Sequence, residues 1–203
     1  MTTSTPSQGD PTTRIVDLAP QSDEVRRLVA GVRDDQLSSP TPCADMPVAG
    51  LLDHLDGLTL AFRLAAEKRP LAGAPSASAE HLPADWRTRL PRRLDELAAA
   101  WREPTAWEGM TEAGGVQLPA AVMGVVALNE VLVHGWDLAV ATGRAYRVDP
   151  VSALACLEFA VDFAAGAPDA RDSMYGPVVP VPDEAPAFAR LLGLAGRDPH
   201  WAG

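Results

Sequence analysis

Apolar residues recur along this chain at helical spacing, in stripes separated by clusters of proline, glycine and serine. Val25, Leu28, Val29 and Val32 make the first stripe, and Leu51, Leu55, Leu58 and Phe62 the second. Trp86, Leu90, Leu94, Leu97 and Trp101 make the third. The first helix is expected to start near Ser22, whose hydroxyl can cap it, and to end before the run Ser38–Pro42. The second begins around Asp45-Met46-Pro47 and reaches about Lys68, followed by a Pro/Ala/Ser linker over 70–83. A third helix covers roughly 84–102, with Pro91 marking a kink or a later start. Trp107 to Leu118, broken by Gly114-Gly115, reads as a small hairpin with a glycine turn.

Pro119 to Thr142 is the most apolar segment, closed by Gly143 as a C-cap. A fifth helix follows Asp149-Pro150, over about 150–165. Prolines at 168, 177, 180, 182 and 186 predict surface coil, then one short helix near 185–195. Residues 1–13, rich in Ser, Thr and Pro, read as a disordered tail, and 14–203 as one domain. Antiparallel helices packed as an all-α bundle are the natural way to bury these stripes.

One segment breaks its own pattern. In VMGVVALNEVLVHGWDLAV apolar groups surround the helix on nearly all sides, as in a central helix. Yet Glu130, His134 and Asp137 stand at i, i+4 and i+7, on one narrow face. A buried carboxylate without a partner costs several kcal/mol, so Glu130 needs compensation. A divalent metal shared with His134 is one solution. A Glu–His hydrogen-bonded pair, or a polar face open to solvent, is the other.

A third ligand shifts that balance. His200, in DPHWAG, and His81, at the end of the linker, are expected to be solvated. His54 borders the Leu51/Leu55/Leu58 stripe and faces the bundle interior. Two histidines and one carboxylate leave a coordination position open, as in catalytic sites. Such ligands suit zinc and also accept nickel, iron or manganese. Asp137 is a further ligand, an acceptor for the other ring nitrogen of a ligand histidine, or the partner of an arginine.

Composition narrows the classes around this site. The net charge of −10 argues against nucleic acid and against an anionic membrane surface. No apolar run reaches the roughly 18 residues of a membrane span, and the N-terminus lacks the basic and apolar parts of a signal peptide. A cytoplasmic protein is the expectation. Cys43 and Cys156 have no paired spacing, which excludes a disulfide framework and a cysteine zinc knuckle. Cys43, just before the second helix, is a small packing residue, a thiol that reaches the metal, or a redox thiol; Cys156 reads as core. Trp86, Trp101, Trp107 and Trp136 read as core too, although tryptophan-rich helices could also form a homodimer surface. Arg144 follows the ligand-bearing helix, where it either binds an anionic group or complements the helix dipole.

PTPCADMPVAGLLDHL and NEVLVHGWDLAVATGR together resemble the metal-binding domain of the mycothiol-dependent maleylpyruvate isomerase family, within the DinB-like superfamily. The tail YGPVVPVPDEAPAFARLLGLAGRDPHW resembles the ending of an actinobacterial subgroup of that domain. The resemblance implies a DinB-like four-helix bundle holding a divalent metal, usually zinc, through His54, Glu130 and His134. It also implies a low-molecular-weight thiol, mycothiol, at the open metal position. Met46 departs from the tryptophan common at its place in the family. Residues 144–203 offer a helix and a surface tail in place of the isomerase's separate C-terminal domain, so the isomerase reaction itself is not expected. The expected function is a metal- and thiol-dependent transferase or isomerase acting on a small electrophile, with hydrolysis by a metal-activated water as a neighbour. A non-catalytic metal-binding, stress-response or ligand-sensing bundle is the alternative.

Overall fold

The computed structural model describes residues 15–43, 46–69, 71 and 77–202. The expected tail over 1–13, the cap candidate Asp45 and most of the linker's first half lie outside them.

Seven helices and one hairpin are described: α1 (Ala19–Val29), α2 (Val48–Ala66), α3 (Trp86–Ala100), β1 (Met110–Ala113), β2 (Val116–Pro119), α4 (Ala120–Ala141), α5 (Pro150–Gly166), α6 (Pro168–Tyr175) and α7 (Ala187–Leu194). Helix α1 packs on α3 and α4, and α2 packs on the same two, so the four apolar stripes meet in one core. Leu28, Leu51, Leu55, Leu90, Leu94, Leu97, Leu128 and Leu132 are all sealed from solvent there. Each contributes about 1.5–3 kcal/mol by burial. Helix α5 covers α4, and α7 covers α5.

Local chemistry sets the boundaries, sometimes against expectation. Helix α1 starts at Ala19 rather than near Ser22, because Pro20 fits its first turn and Asp17 Oδ1 accepts from the Ala19 amide at 3.0 Å. Ser22 is buried inside the helix, its hydroxyl without a hydrogen-bond partner among the described residues. The helix also ends at Val29, earlier than Ser38, and a short 3-10 turn at Asp34–Gln36 fills the gap. Helix α2 ends at Ala66 with Lys68 in the left-handed region (φ 57°). Its ammonium donates to the carbonyls of Ala106 and Glu108, both at 2.8 Å, tying the helix end to the loop before the hairpin. Helix α3 runs through Pro91 without interruption.

The hairpin forms as its glycines predict: Ala113 pairs with Val116 across Gly114 and Gly115, whose φ values of 60° and 83° suit a tight type I′ turn. Gly143 also caps α4 as expected, with its amide on the Val140 carbonyl and the Arg144 amide on that of Ala139. By length and mean hydropathy α4 would pass as a membrane span, contrary to the sequence expectation, but 78% of the qualifying window is buried within this chain. Gly124 lets the Trp101 and Trp107 rings close on it; a Cβ there would stand 2.6 Å from Trp107. Trp86, Trp101, Trp107 and Trp136 are all core residues. Helix α6 was not expected. Pro168 starts it instead of preventing it, since the first helical position needs no N–H.

Candidate metal centre

Helix α2 carries His54 and helix α4 carries Glu130 and His134 one turn apart, so the packing of the two helices brings three donor side chains together. Glu130 Oε2 lies 3.3 Å from His134 Nε2 and 3.7 Å from His54 Nε2. The two imidazoles meet edge to face, with ring centres 4.8 Å apart. One donor atom from each of the three lies within 4.8 Å of the others. Two donors on a tetrahedral zinc, each about 2.0–2.1 Å from it, would stand about 3.3 Å apart. The observed spacing therefore fits a divalent ion after small side-chain adjustments, and the nitrogen and oxygen donors suit zinc chemistry.

The electrostatics are those of a site held together by protons. Burial would raise the Glu130 pKa, but the adjacent imidazoles of His134 and His54 hold it well below the usual carboxylate range. Burial lowers that of His134, but hydrogen bonds to Asp137 and Glu130 and both negative charges outweigh it and push it up to about 9. With a carboxylate on each ring nitrogen, the surroundings of His134 favour its protonated form in the metal-free protein. Metal binding must displace the proton on Nε2.

Asp137 occupies the far side of His134. Its Oδ2 lies 3.0 Å from His134 Nδ1 and accepts from Arg197 Nη2 at 3.0 Å, while Oδ1 accepts from Arg197 Nε at 3.3 Å. Two of the roles open to Asp137 from the sequence, orienting a histidine and pairing with an arginine, coexist. The arginine, sixty residues away, was not identifiable from the sequence. Cys43 also reaches this side: its sulfur lies within 4.8 Å of donors on His134 and Asp137. Burial pushes its thiol pKa up, against the opposing charge of Arg197. The guanidinium on both oxygens of Asp137 makes the Cys43 side a poor place for a second cation.

On the other side, a cavity of about 550 Å³ opens beside the centre, with His54 and Glu130 in its wall. His54 has 32% of its side chain exposed, against 16% for Glu130 and 9% for His134. Leu58, Phe62 and Leu71 make much of the remaining lining apolar. Asp56, Arg89 and Arg93 also contribute, a cluster that sequence reading missed. Arg93 donates to Asp56 Oδ2 at 2.5 Å, and Arg89 Nη2 lies 3.2 Å from the same atom. His81, exposed as expected, stands at the cavity, whereas exposed His200 lies in the tail. Arg144 is not among the described lining residues. It donates to the Gly31 carbonyl at 2.5 Å, which ties the end of α4 to the end of α1.

A His–Glu–His set drawn from two packed helices, beside an open cavity, is a donor arrangement that could hold a metal ion within a helical fold. Residues 18–139 match the sequence model of the mycothiol maleylpyruvate isomerase N-terminal domain, and the chain belongs to that family. Two uncharacterised Mycobacterium tuberculosis proteins, Rv0738 of strain H37Rv and MT0763 of strain CDC 1551, are each 31% identical over 188 residues, covering 86% of this chain and 92% of each relative. The crystal structure of the mycothiol-dependent maleylpyruvate isomerase superposes with a TM-score of 0.55 at 18% identity, over 69% of this chain. A mutant of that enzyme matches equally well, at 17% identity. At such identity the likeness is one of fold, and this chain spans 65% of the isomerase.

Proposed function

We propose that this protein binds a divalent metal, zinc first among the candidates, through His54, Glu130 and His134. It uses that metal with a low-molecular-weight thiol, mycothiol or a similar one, to act on a small electrophile as a transferase or isomerase. The carrying observation is a set of three mutually adjacent donors, two of which, His54 and Glu130, stand in the wall of a cavity of about 550 Å³. Membership of a family named for a mycothiol-dependent enzyme supports the choice of thiol.

The ion would supply an open coordination position at which a thiol loses its proton near neutral pH. The chain's own residues do the rest. A carboxylate on Nδ1 fixes the His134 ring so that Nε2 faces Glu130 and His54. Leu58, Phe62 and Leu71 give the cavity apolar wall surface, suited to the non-polar part of a small substrate. Arg89, one third exposed, brings a cationic edge to the wall, suited to an anionic or carbonyl oxygen of the electrophile.

The test is metal analysis of the purified protein followed by a mycothiol conjugation screen over small electrophiles. The expected result is one divalent ion per chain and thiol-dependent turnover that disappears in His54→Ala. Metal without turnover would assign the non-catalytic role. No stoichiometric metal, and no tight binding of added zinc, nickel or manganese, would remove the site.

A further inference from the structure

Arg197 comes from the tail after α7, far beyond residue 139 where the family match ends. Only 7% of it is exposed. A buried guanidinium needs acceptors for its donors, and these are known: Asp137 takes Nε and Nη2, and the Ala195 carbonyl takes Nη1 at 2.8 Å. Asp137 is itself sealed from solvent and gives Oδ2 to both Arg197 and His134. The chain of contacts therefore runs from Arg197 through Asp137 to His134, and from His134 Nε2 to Glu130.

A two-pronged contact with a guanidinium fixes the plane of a carboxylate, which a single hydrogen bond does not. A carboxylate so held can only accept, so the His134 nitrogen facing it carries the proton. The opposite nitrogen is thereby reserved for the Glu130 and His54 side. We infer that Arg197 is a positioning residue for the centre, holding Asp137 so that His134 presents Nε2 to Glu130 and His54. The segment beyond the family match is thus part of the site and not a separate surface tail. The metal part of this inference rests on the proposed function, but the orientation of the imidazole does not.

Two readouts keep the claims apart. In metal-free protein labelled with 15N at histidine, the hydrogen-bonded Nδ1–H of His134 should give a protected downfield proton signal, lost in Arg197→Gln. Zinc affinity should fall about 10–100-fold in the same variant, the usual range for removing support from a ligand histidine. Arg197→Lys, a single-pronged donor, should recover part of that loss. If Arg197→Gln does not fold, Arg197→Lys decides by itself: an intermediate affinity supports the inference and wild-type affinity overturns it. Lowered stability with unchanged imidazole signal and unchanged zinc affinity would reduce Arg197 to a packing role and overturn it. If His54→Ala binds zinc as well as the parent, the metal reading fails, and the imidazole signal still decides the role of Arg197.

Discussion

Two largely buried carboxylates line the same cavity and have partners of different chemistry. Asp56, 3% exposed, is clamped by Arg93 and Arg89, whose charges persist across the physiological range. Among the described residues, the charged or ionisable side chains paired with Glu130 are the imidazoles of His54 and His134. The arginine pairs complete a structural knot. The histidine pairs offer donors that a metal could take up, as the proposed function requires, because imidazole and carboxylate are ligands and a guanidinium is not. The chemistry of the partner, more than burial, separates a knot from a site.

The largest way to break this contrast is at the knot. Arg93→Ala should cost about 3 kcal/mol of stability, the lower end for a broken buried pair because Arg89 remains. Denaturant unfolding measures it, and zinc affinity should stay within a few-fold of the parent. Equal loss of both would mean that the two clusters are one unit. Next comes the site itself: His134→Ala should lower zinc affinity by more than about 100-fold, beyond the loss from removing a supporting residue. Direct titration reads that loss.

The pH dependence sharpens the contrast. The folded pKa of His134, about 9, lies above its ordinary value near 6.5. Its ion pairs therefore stabilise metal-free protein fully below about pH 6.5, and that stability declines as pH rises through about 9. Zinc affinity should move the opposite way, rising up to tenfold per pH unit toward about 9, because the ion displaces that proton. The melting temperature followed across this range should fall with pH in metal-free protein and stay nearly level under saturating zinc, because the two proton effects cancel. Ser22 offers the smallest effect. Its buried hydroxyl has neither kind of partner among the described residues, so Ser22→Ala should be neutral or stabilise by up to about 1 kcal/mol.

What could be read from the chain follows from the range of each interaction. The stripe in α4 and the histidine on α2 are local periodic signals, so the grouping of His54, Glu130 and His134 is legible in the sequence, and the fold brings the three together. Gly143 and the Gly114-Gly115 turn were legible because backbone geometry demands glycine there. The start of α1 was misplaced because Ser22 has the chemistry of a cap, but Asp17 and Pro20 do the work three residues earlier. Helix α6 was hidden by a proline that initiates instead of breaking. Arg197 was hidden for a stronger reason: its pairing spans sixty residues of chain, and nothing local distinguishes it from the other arginines. Arg144 shows the converse, a cation near the site in sequence that the fold turns toward the Gly31 carbonyl.

The central claim is that His54, Glu130 and His134 exchange a proton for a divalent ion. Calorimetric titration of zinc into metal-free protein near pH 7, repeated in buffers of different ionisation enthalpy, tests it most directly. The predicted result is one zinc per chain with release of about one proton, both abolished in His134→Ala. Absence of binding, or binding that releases no proton and survives that substitution, would contradict it.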